Sequence, residues 1–463
     1  MKGASSWGYR PYRPLEFDVG DIYVCRIAPF SNGFEAEWLP VEGGDSYTVS
    51  FGLKGSATPR ATVVTNCPSV RIEGLTEGRD YEFMVTAGEQ KSRLRLVRTG
   101  TVPGDCVVQY LHPDDRAYSF SGQYLCSPSI VRHPDGFLLA SMDVYKAKAP
   151  QNLTLLFRSD DEGESWHYVT DLYPCFWGKL FVHRGRLYML AVSTEYGDLL
   201  IGSSEDGGNT WGSPTVLLRG SGRFDAPGVH KNPQKILTFQ GRLWTSLEWG
   251  CWHRGGHSIM CASVAEDADL LCAQNWSFTA PVPYDSAWPG TAKGKSGGCL
   301  EGCMTIGPDG RLYNVLRYEI GACKPSFGKV ILMQPDVHNP EAPLRFARVM
   351  DFPGNHSKFE IHFDPVTGCY LSIVSYLDNE HPTGRNLLSL IVSRDLEHWS
   401  LVKHIFDYRH LPEKQVGFQY VNFLVEGEDI LLLCRTAFNG AANFHDANFS
   451  TFTRIRDFRQ LLR

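Results

Sequence analysis

The feature that most constrains this fold is a repeat in which an apolar strand, a glycine-containing turn and a second apolar strand follow one another. The turns are HPDGF at Gly136, HRGRLY at Gly185, FQGRLW at Gly241, PDGRLY at Gly310, VTGCY at Gly368 and EGEDI at Gly427. Six turns spread over residues 105–463 give repeats of about 60 residues, the size of a four-stranded propeller blade. The repeat predicts an all-β fold with a six-bladed β-propeller at residues 105–463.

The clearest copy of the repeat is the stretch from Cys299 to Arg317, CLEGCMTIGPDGRLYNVLR. It predicts a strand, a tight Pro-Asp-Gly turn and a second strand. Glu301 opens the first strand and Arg317 closes the second. Antiparallel pairing brings those two ends to the same edge of a sheet, so a carboxylate and a guanidinium are expected at one rim.

Residues 20–104 follow a different pattern of short segments with alternating apolar and polar positions, which predicts a β-sandwich. Trp38, and the later segment GLTEGRDYEFMVTA with Leu75 and Tyr81, resemble a fibronectin type III module. The resemblance implies that Tyr81 pins a corner before a late strand, and that the module serves spacing or docking. Residues 1–19 form a separate N-terminal segment, and residues 101–104 are the predicted linker.

Composition excludes several classes of function. The chain has 45 Lys and Arg against 51 Asp and Glu, a formal net charge of -6, which argues against a nucleic-acid surface. No apolar run approaches the roughly 18 residues of a membrane helix, and the first residues lack the apolar segment of a signal peptide. The 13 cysteines lack paired metal-ligand spacing and favour a reducing compartment over a disulfide framework. We therefore expect a monomeric protein without membrane contact, metal or cofactor, cytoplasmic as given and secreted if a leader was trimmed.

Counting from each turn glycine predicts which residues reach one face of the propeller. Seven residues later, or eight in the last repeat, the second strand ends, and nine to twelve residues earlier the inner strand opens. The ionisable or aromatic residues at these ends include Asp143, Glu248, Arg317, Tyr376, Arg435, Trp177, His230, Lys231, Glu301, Lys358 and Tyr420. Acids, cations and aromatic rings in one ring predict a saccharide-binding active site, because aromatic faces stack on sugars and acids and bases act on the linkage.

We assign Glu301, His230, Tyr420, Asp143 and Glu248 as candidate catalytic residues of this ring. The candidate substrate-binding residues from the same map are Arg317, Arg435, Lys231, Lys358, Tyr376 and Trp177. Structural alternatives stay open for four of these residues. Asp143 and Glu248 could form salt bridges with Arg435 or Arg317, His230 could be a turn residue, and Tyr420 could be a core residue.

Two segments fit S-x-D-x-G-x-[ST]-W, at 159–166 and 204–211, and a shortened version lies at 393–399. They resemble the Asp boxes, also called BNR repeats, of sialidase-type propellers. The resemblance implies hairpin turns in which Asp161, Asp206 and Asp395 bind backbone N–H groups and the Trp packs between sheets. These residues are structural and lie away from the predicted rim.

The segment LEGCMTIGPDGRLYNVLR is similar to the fourth blade of sialidases. The resemblance implies that Glu301 polarises a nucleophile and that Arg317 binds a substrate carboxylate, with Arg385 in the region of a further carboxylate-binding Arg. Sequences similar to those of sialidase-like glycosyl hydrolases continue through SPSI at 127–130, GKLFVHRG at 178–185, VGFQY at 416–420 and HDANFSTFTRIRDFR at 445–459.

Three departures separate the chain from ordinary sialidases. Cys126-Ser127-Pro128 stands where the family has its first carboxylate-binding Arg. The family's nucleophilic Tyr aligns near Phe418, and the closest tyrosine is Tyr420. The acid-base region reads KAKAPQNLTL, at 146–155, with no carboxylate.

The sequence therefore predicts a glycoside hydrolase that cleaves an oligo- or polysaccharide carrying an acidic sugar. Two alternatives remain open. A polysaccharide lyase acting on a uronate linkage would use His230 and Tyr420 as base and acid, with Arg317 neutralising the carboxylate. A non-catalytic glycan-binding propeller is the other.

Overall fold

The computed structural model describes residues 7, 19–57, 60–291, 298–319, 328–378 and 384–462. This part of the chain is all-β and contains no α-helix, as the sequence predicts. Its three short 3-10 helices cover Trp252–Arg254, Ala273–Asn275 and Phe458–Leu462. Within it, no helix is both long and apolar enough to span a bilayer.

The first eight strands form two antiparallel sheets that share one apolar core. They are β1 Val24–Phe30, β2 Gly33–Trp38, β3 Tyr47–Leu53, β4 Ala61–Thr65, β5 Ser69–Ile72, β6 Asp80–Ala87, β7 Gln90–Lys91 and β8 Arg95–Arg98. One sheet has the order β1-β2-β5, and the other has the order β4-β3-β6-β7 with β8 also paired to β6. Trp38 is buried between them, and the Tyr81 hydroxyl accepts a hydrogen bond from the Thr76 N–H at 2.9 Å.

This N-terminal pair of sheets packs tightly against the rest of the chain. Tyr110 and Phe449, which belong to the C-terminal part of the fold, lie in the same buried cluster as Trp38. Arg95 Nε donates to a carboxylate oxygen of Asp115 at 2.8 Å, and both side chains are buried. Residues 101–104 thus connect two bodies that share a core, although the domain boundary at 104 itself stays a prediction.

The remaining strands follow one another as meanders. They are β9 Cys106–Tyr110, β10 Tyr124–Arg132, β11 Leu138–Tyr145, β12 Thr154–Ser159, β13 His167–Leu172, β14 Phe176–His183, β15 Arg186–Val192, β16 Leu199–Ser204, β17 Thr215–Leu218, β18 Gly228–His230, β19 Leu237–Phe239, β20 Arg242–Cys251, β21 Gly256–Ala265, β22 Trp276–Phe278, β23 Gly298–Ile306, β24 Leu312–Glu319, β25 Lys329–Gln334, β26 Arg345–Asp351, β27 Ile361–Asp364, β28 Cys369–Ser375, β29 Leu387–Ser393, β30 Ser400–Asp407, β31 Gly417–Glu426, β32 Asp429–Ala437 and β33 Phe449–Ile455.

Four sheets of the described residues have four strands each. Their orders are β10-β11-β12-β13, β14-β15-β16-β17, β27-β28-β29-β30 and β31-β32-β33-β9. Strands β18 to β26 form one nine-stranded sheet, whose two halves are joined by a single parallel pair between His257 and Gly298. Because β9 comes before β10 in the chain and completes the last sheet, the series of sheets is closed by its own first strand.

Four inner strands carry a bulge at the same relative position. In β10, β14, β23 and β31 the pairing register shifts around Ser127, Trp177, Glu301 and Tyr420, respectively. Each of these residues has a positive φ, between 38° and 56°, which is uncommon for a residue other than glycine. Bulges of this kind re-aim side chains and are frequent beside active sites.

The three turns with Ser, Asp and Trp use their carboxylates as predicted. Asp161 accepts a hydrogen bond from the Ser165 N–H at 2.9 Å, and Asp206 accepts one from the Thr210 N–H at 2.9 Å. Asp395 accepts one from the Glu397 N–H at 2.8 Å. These carboxylates stabilise turns and take no part in the rim.

Candidate functional site

The strand register pairs several of the predicted rim residues within the inner hairpins. In the inner hairpins Cys126 pairs with Asp143, His230 with Glu248, Leu300 with Arg317, and Gln419 with Arg435. One detail differs from the expectation. Glu301 does not open its strand, because β23 already begins at Gly298, and it lies instead at the bulge.

The centre of the site is a hydrogen-bonded chain of three side chains. Tyr420 Oη donates to Glu301 Oε1 at 2.5 Å, and Arg317 Nη1 donates to Glu301 Oε2 at 2.5 Å. Glu301 and Arg317 are buried, with 3% and 6% of their surface exposed. Both carboxylate oxygens therefore have a charged or hydroxyl partner, so Glu301 is held in one orientation beside the phenol.

The same contacts set the protonation states of Glu301 and Tyr420. Burial alone would raise the pKa of Glu301, but the Arg317 charge and the hydrogen bonds from Tyr420 and Arg317 outweigh it and lower the pKa. Burial and the charge of Glu301 raise the pKa of Tyr420 well above its ordinary value. At neutral pH Glu301 is thus an ionised carboxylate that accepts a hydrogen bond from the neutral phenol of Tyr420.

Two further arginines surround Tyr420. The Arg435 guanidinium lies over the Tyr420 ring, 4.9 Å from its centroid, and Arg385 Nη2 donates to the His356 carbonyl at 2.7 Å. Neither Arg385 nor Arg435 forms an ion pair with a carboxylate in the described ranges. Burial and the Arg317 charge lower the pKa of Arg385 to about 10. Cations that form no direct ion pair at a rim favour an anionic ligand.

Arg435 also lies beside Cys126. The sialidase resemblance predicts an arginine at the position that Cys126 occupies. Arg435 Nη1 lies 3.1 Å from Cys126 Sγ, and its guanidinium lies 5.5 Å from the centroid of the Tyr145 ring. An arginine from the last sheet thus reaches the position that the first sheet leaves without a cation.

A second cluster is centred on His230. Its Nδ1 lies 2.8 Å from a carboxylate oxygen of Glu248, and its ring packs against Trp177, with 4.4 Å between centroids. The His257 ring lies 4.2 Å from His230, and Tyr196 stacks at 6.2 Å. The Glu248 contact fixes the orientation of the imidazole, as a carboxylate does for many functional histidines.

Two lysines predicted to bind substrate have a different position. Lys231 is fully buried and its Nζ donates to the Trp177 carbonyl at 3.1 Å. Lys358 is also buried, donates to the Val421 carbonyl at 2.9 Å and pairs with Glu360 at 3.0 Å. The bulges leave these carbonyls without a ladder partner, so the lysines satisfy backbone beside Trp177 and Tyr420 and do not face a ligand.

Asp143 and Tyr376 also lie away from the positions predicted for them. Asp143 is buried, accepts hydrogen bonds from the Thr154 hydroxyl at 2.6 Å and the Trp177 N–H at 2.9 Å, and burial raises its pKa to about 7. It supports the Trp177 bulge from below. Tyr376 packs against the His404 ring of β30, 5.9 Å between centroids, outside the cluster around Tyr420.

The turn spacing does not predict several residues that the structure places in or beside the site. They are Tyr145, Gln151, Glu195, Tyr196, His257, His356 and His445. Most of them lie in loops or at strand ends, where the sequence has no regular hydrophobic repeat that would identify them.

The glycine that follows the bulge in β23 is one signal that the sequence does contain. A Cβ on Gly302 would lie 2.1 Å from the Asn314 amide oxygen. A close approach of this kind marks Glu301 as a special backbone position.

We expect the buried His356 to make the protein less stable in acid. Burial and the charges of Arg385 and Arg317 lower the pKa of His356 to about 3, and its Nε2 contacts the Gly384 carbonyl at 2.9 Å. As the pH falls below about 6.5, the unfolded chain binds a proton that the folded protein excludes, so stability is lost. Urea unfolding should show a loss of about 2 kcal/mol from this group between pH 7 and pH 5.

The His356→Gln variant should lack this part of the pH dependence, because glutamine keeps a donor and does not titrate. His167→Gln, at an exposed position on β13, is the matched control and should keep the slope of the unmodified protein. An unchanged slope in the His356 variant would contradict the prediction.

Comparison with known proteins finds similarity in structure only. No protein-family model matches the chain, and no curated protein matches its sequence. The GH93 α-L-arabinofuranosidase of Fusarium graminearum, solved with arabinobiose, is similar at 13% identity over 77% of this chain and 99% of that chain, with a TM-score of 0.50. This likeness shows the fold alone, an all-β fold of β-propeller type.

Two sialidase structures are also similar over most of the chain. The leech intramolecular trans-sialidase complexed with 2,7-anhydro-Neu5Ac shares 10% identity over 95% of this chain and 92% of that chain, with a TM-score of 0.49. The NanB sialidase from Streptococcus pneumoniae shares 9% identity over 94% of this chain and 93% of that chain, with a TM-score of 0.48.

Proposed function

We propose that the protein is a glycoside hydrolase that cleaves a glycan carrying an acidic sugar, with Tyr420 as nucleophile and Glu301 as its base. The observation that carries the proposal is the 2.5 Å contact from Tyr420 Oη to Glu301, surrounded by Arg317, Arg385 and Arg435. The arabinofuranosidase of similar fold belongs to the same reaction class, which agrees with the proposal but does not carry it.

The geometry supports a reaction in two displacement steps. Glu301 takes the phenol proton while Tyr420 Oη attacks the anomeric carbon, and the bond to the leaving oxygen breaks as that oxygen gains a proton. The second step reverses the roles, with water attacking the anomeric carbon and the tyrosine leaving. A neutral phenol suits an anomeric centre that bears a carboxylate, because a carboxylate nucleophile would be repelled by it.

Three guanidinium groups supply the recognition of that carboxylate. Arg317 is already oriented by Glu301, while Arg385 and Arg435 bring positive charge without a carboxylate partner in the described chain. An anionic sugar group would relieve the repulsion among the three cations, and a planar guanidinium can bind it through two parallel hydrogen bonds.

The finer architecture belongs to the same proposal. We infer six blades, with the nine-stranded sheet supplying two of them, and a fibronectin type III module at residues 20–104. Support comes from the division of that sheet at a single parallel pair and from the hydrogen bond between the Tyr81 hydroxyl and Thr76.

We expect Arg317→Lys to weaken hydrolysis of an acidic glycoside by about ten- to a thousandfold in kcat/KM, or about 1.4 to 4 kcal/mol. Lysine keeps the charge but cannot form the bidentate contact. The measurement uses 4-methylumbelliferyl glycosides of N-acetylneuraminic acid and of glucuronic acid, and the methyl ester of whichever is cleaved. The loss should be much smaller on the ester.

Arg409→Lys is the matched control, since Arg409 pairs with Asp407 on the outer strand β30 and should tolerate the change. Equal losses of Arg317→Lys on the acid and its ester would mean that Arg317 serves Glu301 and not the substrate. Detection of an unsaturated uronate product by its ultraviolet absorbance would show that the protein acts by elimination and not by hydrolysis. Binding of glycans without turnover would make the protein a lectin.

A further inference from the structure

The half-buried carboxylate of Glu195 is not yet assigned a role in the two displacement steps. Glu195 lies in the loop between β15 and β16, and one of its carboxylate oxygens accepts a hydrogen bond from Gln151 Nε2 at 2.8 Å. Gln151 belongs to the segment at 146–155 that contains no carboxylate of its own. It is fully buried and has a left-handed backbone with φ of 50°, so its side chain is held in place.

Glu195 shares its surroundings with the Tyr420–Glu301 pair. The ring of its chain neighbour Tyr196 stacks on the His230 ring, with 6.2 Å between centroids. His230 Nδ1 lies 2.8 Å from Glu248, and Glu248 Oε1 accepts a hydrogen bond at 3.4 Å from the N–H of Gly302, the residue after Glu301. On the other side of the site, the Tyr145 ring lies 5.5 Å from the Arg435 guanidinium, which also covers the Tyr420 ring at 4.9 Å. Burial raises the pKa of Tyr145, and the charge of Glu195 adds a smaller contribution in the same direction. A continuous series of contacts through Tyr196, His230 and Glu248 thus connects the Glu195 loop to the Tyr420–Glu301 pair.

The other carboxylates near the site already have structural partners. Glu301 is bound by Tyr420 and Arg317, and Glu248 by His230, while Asp143 lies beneath the rim and is bound by Thr154 and the Trp177 N–H. The Asp446 carboxylate accepts a hydrogen bond from Asn443 Nδ2 and lies 2.8 Å from His445 Nδ1, and these contacts outweigh burial and lower its pKa. Such an acid stays ionised and cannot donate a proton.

We propose that Glu195 is the proton donor to the leaving oxygen, held at the rim by Gln151 in place of a carboxylate on the loop at 146–155. This inference rests on the proposed function. In the first step the Glu195 carboxylic acid gives its proton to the oxygen of the departing sugar as the glycosidic bond breaks. In the second step its carboxylate takes a proton from the attacking water.

The protonation chemistry agrees with that role. Burial raises the pKa of Glu195. Around its carboxylate are Gln151, which donates to it at 2.8 Å, and the rings of the next residue, Tyr196, and of His230 from β18. The charge of His230 and the hydrogen bonds with Gln151 and Tyr196 lower the pKa of Glu195, but they do not cancel the effect of burial. A carboxyl with a raised pKa can remain protonated nearer to neutral pH, as a general acid requires.

The test compares a poor and a good leaving group on the full chain. The substrates are the 4-methylumbelliferyl and the methyl glycosides of N-acetylneuraminic acid and of glucuronic acid. We expect Glu195→Ala to lower kcat/KM by about a hundredfold or more on the methyl glycoside but by less than about tenfold on the 4-methylumbelliferyl glycoside. Sodium azide should raise kcat of this variant and yield a glycosyl azide. Glu195→Gln should lose the basic limb of the pH profile.

Gln151→Ala is the matched positioning variant and should shift that basic limb while retaining more activity than Glu195→Ala. Equal losses on both leaving groups, with no azide product, would show that Glu195 only supports the loops and would overturn the inference. Those losses would leave the proposed function standing, because Tyr420→Phe would still abolish turnover. If the unmodified protein cleaves neither aryl glycoside, the proposed hydrolysis of acidic glycosides is wrong, and the role of Glu195 is overturned with it.

Discussion

Tyr420→Phe should lower kcat/KM for an acidic aryl glycoside by at least about a thousandfold, or about 4 kcal/mol. The change removes one oxygen, the atom that lies 2.5 Å from Glu301 and that would form the bond to the anomeric carbon. The ring itself remains under the Arg435 guanidinium, so the packing of the site is preserved. Steady-state kinetics with the 4-methylumbelliferyl glycosides gives the measurement, and thermal unfolding checks that the variant is folded.

Tyr376→Phe is the matched control for this variant. It removes the same hydroxyl group from a tyrosine that the turn spacing also places at the rim but that packs against His404 instead. Its kcat/KM should be unchanged. Trapping with a 2-fluoro or 3-fluoro glycosyl fluoride should label the unmodified protein at Tyr420. Full activity of Tyr420→Phe, or a label on another residue, would remove Tyr420 from the role of nucleophile.

Glu301→Gln should lower kcat/KM by roughly a hundredfold to ten-thousandfold, since an amide cannot take the proton from Tyr420. The structure adds a cost in stability that the sequence does not suggest. Glu301 is the buried partner of Arg317, and removing one member of a buried ion pair costs about 3 to 5 kcal/mol. The free energy of unfolding in urea should therefore fall together with activity.

Asp115→Asn is the control that separates the two effects. Asp115 is the buried partner of Arg95 at the junction with the N-terminal sheets, far in sequence from the site. It should lose a similar amount of stability and keep its kcat/KM at temperatures where it is folded. A loss of activity in Glu301→Gln no larger than that in Asp115→Asn would mean that Glu301 acts only on the fold.

The backbone bulges at Glu301 and Tyr420 depend on buried side chains that bind their carbonyl groups. Glu301 and Tyr420 both have a positive φ, at 56° and 54°, and such backbone costs about 1 to 3 kcal/mol per residue. The surrounding structure stabilises it with side chains such as Lys358, which binds the Val421 carbonyl, and Gln234, which binds the Glu301 carbonyl. Residues that looked like ligands of a substrate thus hold the reacting side chains in position.

The amino-acid pattern alone predicts the all-β class and the strands that pair on either side of each turn. A tight turn at Gly310 fixes the pairing of the strands on either side of it, so Arg317 had to lie across from the start of β23, and Glu301 close to it. The same turn spacing places Asp143, His230 and Glu248 at strand ends, and the register then pairs Cys126 with Asp143 and His230 with Glu248. These contacts are local, and local register follows from the two-residue period and the turn.

Only the tertiary structure decided which of these residues meet across the rim and which are buried beneath it. Tyr420 and Glu301 are 119 residues apart, and their contact depends on the closure of the whole series of sheets by β9. Arg435 reaches Cys126 for the same reason. Lys231 and Lys358 have the spacing of rim residues, but the bulges of neighbouring strands expose carbonyls that their ammonium groups bind. Long-range closure and backbone irregularity leave no periodic mark in a sequence, so the assignment of roles had to come from the fold.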